Sequence, residues 1–147
     1  MRVFLLGLSA CTSTPTDILM DEPPVDDSAS DPNAPPAAGL TIGARGRLAG
    51  VDGHRATGQI LLFSHPDGRH LVRFEGADIQ GGPDLHVWLV RRLSGDLADG
   101  HVTLGPLRST RGDQNYSAPI EADPSQFRGL SIWCEDFSVN FGQGALN

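Results

Sequence analysis

One cysteine and five histidines carry most of the chemistry available to this chain. Cys134 lies in Gly129–Leu146, GLSIWCEDFSVNFGQGAL, between Trp133 and the acids Glu135 and Asp136. A thiolate is the soft ligand or nucleophile that redox chemistry uses, and imidazoles are borderline ligands for transition metals or haem. His54, His65, His70, His86 and His101 supply the imidazoles. His86 is the foremost of these, because alternation places it on one strand face with Trp88. His54, just after the Asp52-Gly53 turn signal, comes second. Each histidine also has a plainer reading as a turn or surface residue; His65, before Pro66, shows this most directly.

The spacing excludes several redox centres. A blue-copper site needs two histidines, a cysteine and usually an axial ligand, often with His and Met soon after the cysteine. No His or Met lies between Glu135 and Asn147. C-x-x-C-H is absent, which removes covalent c-type haem, and C-x-x-C is absent, which removes a self-contained dithiol cycle. Non-covalent haem on Cys134 or a histidine remains compatible with the residues present, and no particular metal is specified. Cys134 would otherwise act through a partner thiol, a sulfenic acid or ligation. The competing reading is that Cys134 is a small buried hydrophobe, as free cysteines often are. Glu135 and Asp136 disfavour a thiolate beside them.

Other chemistries find little support. The nucleophile elbow G-x-S-x-G and phosphate-binding glycine loops are missing. Gly112-Asp113 reads as a turn before Tyr116. Gly82-Pro83-Asp84 reads as a strand-entry turn that would hold calcium only if further oxygens converged on it.

From Leu40 the chain consists of short apolar–polar alternations broken by glycine and proline, which predicts an all-β fold. Expected strands are Arg47–Val51, Ala56–Phe63, His70–Phe74, Leu85–Arg91, His101–Leu104 and Tyr116–Ile120. In the last stretch Leu130, Ile132 and Cys134 alternate on one parity, and Phe137, Val139 and Phe141 on the other. A strand changes its buried face only through an extra residue or a turn, so a β-bulge or sharp bend is expected at Glu135–Asp136, with Cys134 at a corner rather than in mid-core. The predicted fold is a small antiparallel β-sandwich of about seven or eight strands.

Composition fits one domain with a tail. The chain has 147 residues, is 39% apolar and carries a formal net charge of −7. Six acids and no base fall between Thr12 and Ala38, leaving twelve acids and ten arginines in the remaining domain. A near-neutral domain without a basic cluster argues against nucleic-acid binding.

Residues 1–11 read as a targeting segment in which Leu8-Ser9-Ala10-Cys11 resembles a lipoprotein lipobox, making Cys11 the lipidated residue. Only ten residues precede Cys11, against the usual ~15–30 of a signal, so an upstream start or an inefficient signal is expected. An unlipidated Cys11 could instead bridge to Cys134 in an oxidising compartment. Residues 12–38 read as a disordered acidic, proline-rich linker, too poor in apolar residues to order itself. Its reach is roughly 30 Å as a coil and up to about 80 Å if extended.

With these segments placed, residues 39–147 resemble the DM13 domain. The matching features run in order: Gly46-Arg47-Leu48, His54–Ile60, Gly82–Leu89, Leu104–Leu107 and Gly112–Tyr116 with Pro119. They continue with Ile132-Trp133-Cys134, Phe137–Gly142 and Ala145-Leu146. The likeness spans about residues 43–146, and Leu48 stands where an aromatic is usual. The resemblance implies a redox or electron-transfer role resting on the cysteine, here Cys134. Taken together, these readings predict a non-enzymatic redox accessory domain, lipid-anchored on the extracytoplasmic side of the bacterial cell envelope and working with a redox protein partner. The alternative is a surface binding module in which Cys134 is structural and the loops around His54, Gly82 and Gly112 carry recognition.

Overall fold

A computed structural model describes residues 33–36, 38–94, 97, 100–119 and 121–147. The targeting segment with Cys11 and the linker as far as residue 32 lie outside the described residues. Eight antiparallel strands form the domain: β1 Thr41–Gly50, β2 Ala56–Ser64, β3 His70–Ile79, β4 Leu85–Val90, β5 Val102–Pro106, β6 Arg111–Ala118, β7 Gly129–Cys134 and β8 Val139–Ala145. The described residues contain no α-helix, only one 3-10 turn at Pro124–Gln126. The expected all-β class and strand number are therefore observed.

All eight strands belong to one sheet, in the order β5-β4-β7-β8-β1-β2-β3-β6. The sheet folds over until β5 and β6, its outermost strands, approach each other and nearly close it. Its halves face one another as the layers of a sandwich would. Inward-pointing residues meet in the core, among them Leu48, Ile60, Val72, Phe74, Val87, Leu89, Tyr116, Leu130, Ile132 and Phe141, with Val102 and Leu104 of β5 packed against it. This is the period-2 alternation put to use, one parity facing the core and the other facing outward.

Turn chemistry explains the connections. Asp52 and Gly53 both have positive φ, 51° and 84°, and His54 N donates to Val51 O at 3.0 Å. That is the twist a tight hairpin requires, and glycine supplies half of it without strain. The last stretch of the chain bends at Glu135–Asp136, as expected. The parity change there comes from a turn over residues 135–138, which closes a β7–β8 hairpin. The bulge lies further on, at Phe141, because Ile132 pairs with Gly142 while Trp133 pairs with Asn140. Phe137, on the buried parity by sequence, sits in the turn and is 67% exposed. Gly112-Asp113 is likewise strand rather than turn. Gly112 takes a φ of 88° where the β3–β6 register shifts, and Asp113 reaches back to Arg73.

The outer face of β3 and β6 holds a buried arginine. Arg73 donates to Glu75 (3.0 Å), Asp113 (2.7 Å), Asn115 (3.1 Å) and the Ala34 carbonyl (3.0 Å). Asn115 Nδ2 also donates to that carbonyl at 2.8 Å. Residues at the end of the predicted linker are thus bound to the sheet, because Ala34 provides the acceptor that a buried guanidinium needs.

Candidate functional site

The chemistry-bearing residues gather where β4 begins and β7 ends. In this ladder Leu85 pairs with Cys134, His86 with Trp133 and Trp88 with Ser131. Pleating sends Leu85 and Cys134 inward, and His86 and Trp133 outward. Cys134 is 0% exposed within the main core, although it is the last residue of its strand. Cys134 does stand at a corner, but the expectation that this keeps it out of mid-core is corrected by its burial. The following turn carries the change of direction, so Cys134 keeps the inward parity of Leu130 and Ile132.

On the outer face, His86 lies between two carboxylates. Its Nε2 is 2.9 Å from Asp84 Oδ1, and its Nδ1 is 3.4 Å from Glu135 Oε1. A backbone bond from Glu135 N to Asp84 O, 2.9 Å long, locks the two chain segments together. One further oxygen, from Glu135 just past the end of β7, does reach the Gly82-Pro83-Asp84 corner, together with an imidazole nitrogen of His86. One ligand atom from each of Asp84, His86 and Glu135 falls within 4.8 Å of the others. Sequence distance hides this grouping, since Glu135 is brought in only by the β4–β7 register. The adjacency of Glu135 to Cys134 was the available signal.

Next along the same face is a stack of aromatic rings. Trp88 lies against Trp133 with centroids 4.7 Å apart, and against His101 at 3.7 Å on near-parallel planes. The Trp88 indole N–H is buried without a partner among the described residues. Leu93 and Leu97, from the β4–β5 connection, complete this outer cluster. Beside Trp133 opens a cleft of about 330 Å³ whose polar lining includes Asp52, Ser138, Asn140 and Gln143. Asp52 and Ser138 are the two non-glycine residues with positive φ among the described residues.

The sequence-predicted candidates are therefore divided. His86 joins Asp84 and Glu135, while the sheet separates it from the inward-facing Cys134. His54 stacks on Phe141 with centroids 3.8 Å apart, in the β1–β2 turn. Cys11 lies outside the described residues. Zero exposure also restricts what Cys134 can do. Attack on a partner disulfide requires access to the sulfur, so exchange must wait for the hairpin to open.

Comparison with known proteins bears on the same region. A family model described as "Electron transfer DM13" matches residues 50–146, which takes in β2–β8 with the turn before them. No curated protein matches, and no solved structure does. The matched span contains Asp84, His86, Trp88, Trp133, Cys134 and Glu135, and on that match the chain belongs to the DM13 family, with the electron-transfer role that the family's description gives it.

Proposed function

We propose that this chain is a non-enzymatic electron-transfer accessory domain in which Cys134 is the redox-active or ligating residue. Lipid on Cys11 holds it at the outer side of a bacterial membrane, where it works with a redox protein partner. The observation that carries the reading is the run Trp133-Cys134-Glu135 at the end of β7. Its first side chain enters the aromatic stack, its second enters the core and its third joins Asp84 and His86. A buried thiol with aromatic and ionisable groups one residue to either side is coupled to the surface without being open to it. Phe137, exposed at the tip of the same hairpin, offers an apolar contact to a partner.

The ultraviolet–visible spectrum of the chain, purified from an oxidising compartment and compared with Cys134→Ser, tests this role. A Soret or ligand-to-metal band that disappears in the variant supports ligation by Cys134. Without such a band, thiol labelling decides. A redox thiol labels in the folded chain through opening of the β7–β8 hairpin, at a cost below that of global unfolding. The complete burial of Cys134 favours a second reading, in which the cysteine is structural and the cleft beside Trp133 binds a ligand. On that reading, labelling follows global unfolding alone.

A further inference from the structure

The strand ends that bury Cys134 also build a second constellation on the outside, and its charge is unusual for this molecule. Elsewhere among the described residues, every acid in an ion pair meets an arginine, Asp67 alongside His65. Glu75 and Asp113 share Arg73, Asp78 meets Arg55 and Arg111, and Asp67 meets Arg69. Asp84 and Glu135 converge without one. Among the described residues, their only ion-pair partner is His86. A single imidazole, even when protonated, balances one of two carboxylates, and a neutral imidazole balances neither.

We propose that Asp84, His86 and Glu135 form a binding site for a divalent cation of the zinc class. One imidazole with two carboxylates is a borderline-to-hard donor set, suited to such an ion. The Nε2–Oδ1 separation of 2.9 Å matches two ligands each about 2.1 Å from one ion and roughly at right angles to each other. The backbone bond between Glu135 and Asp84 and the adjoining Leu85–Cys134 pair fix the two ligand-bearing segments. Binding then costs little backbone ordering. Glu135, in a turn with its side chain 45% exposed, has room to swing its carboxylate onto the ion. Water fills the remaining positions. The site is independent of any role for Cys134, which faces the core.

The test is a titration of the full chain with Zn²⁺ by calorimetry and with Co²⁺ by visible absorption. His86→Gln, Asp84→Asn and Cys134→Ser are titrated in parallel, with circular dichroism checking each fold. The expected result is one ion per chain, bound at least about tenfold more weakly by His86→Gln and by Asp84→Asn. Cys134→Ser should bind unchanged, and the Co²⁺ spectrum should lack a sulfur-to-metal band. If either substitution prevents folding, Glu135→Gln in the exposed turn tests the same prediction. Absence of saturable binding, or undiminished binding by folded His86→Gln, overturns the proposal. A sulfur-to-metal band lost in Cys134→Ser also overturns it, by moving the ion to Cys134, and that outcome would support the redox reading.

Discussion

Leu85 and Cys134 stand opposite one another in the β4–β7 ladder, both inside the core, and the next pair, His86 and Trp133, points outward. One step of register thus separates a buried sulfur from a ligand cluster open to water. Sheet geometry permits this because successive side chains leave on opposite faces. The same relationship makes the thiol sensitive to what replaces it. Cys134→Ser places a hydroxyl in an apolar setting that has no partner prepared for it. It is expected to lower stability by about 1–3 kcal/mol in urea denaturation. A loss below about 0.5 kcal/mol would show that the site is wetter than its burial indicates.

Tyr116 gives an alkaline prediction with a clean readout, since the chain contains one tyrosine. Burial pushes its phenol from 10.0 up to about 12, against the opposing effects of the Arg108 N–H and the Arg108 charge. The hydroxyl donates to Gln114 Oε1 at 2.6 Å and accepts from Arg108 N at 2.9 Å. A raised folded-state value means that the neutral form is favoured in the fold. The resulting stabilisation is complete below pH 10 and is lost as pH rises toward about 12. Phenolate absorbance of the folded chain should therefore develop well above the midpoint of the unfolded chain. Coincident midpoints would contradict it.

The acid side is marked by Asp67. The backbone N–H of Arg69 holds its carboxyl down at about 2, from an ordinary 3.8, with help from the Arg69 guanidinium and His65. The guanidinium Nε donates to Oδ2 at 2.7 Å. A depressed value places the stabilisation above pH 3.8 and removes it as pH falls to about 2. Carboxyl NMR should place the Asp67 midpoint near 2. Asp67→Asn should flatten the loss of thermal stability across that window. An Asp67 midpoint near 3.8 would refute the contact geometry.

Arg73 predicts a difference between two cations. It reaches Glu75, Asp113, Asn115 and the Ala34 carbonyl together. A lysine, a compact point charge, cannot hold that fork. Arg73→Met is expected to cost about 1–3 kcal/mol, less than a fully buried pair because both carboxylates remain partly exposed. Arg73→Lys should recover little of this. Both variants should speed proteolysis next to Ala34. Full recovery by lysine would show that charge alone holds the network.

The sequence was most legible where one physical rule acts alone. Alternation and turn residues marked the all-β class and most strand positions, and Asp52-Gly53 announced its hairpin. Legibility ended where partners distant in sequence decide the outcome. Phe137 reads as buried by parity, but the hairpin turn claims its position. Asp113 reads as turn, but a guanidinium on β3 holds it in a strand. At the candidate site, Cys134, His86 and Trp88 were visible as types and Asp84 lies two residues from His86, while Glu135 became a partner of His86 only through the β4–β7 register. The stacking of His101 on Trp88 was hidden for the same reason.

The capture of Ala34 by Arg73 and Asn115 also fixes where this short segment meets the sheet. That point lies on the outer face of β3 and β6, in the half of the sheet away from β4 and β7. A visitor approaching His86 and Trp133 therefore meets a face that the anchored segment around Ala34 leaves clear.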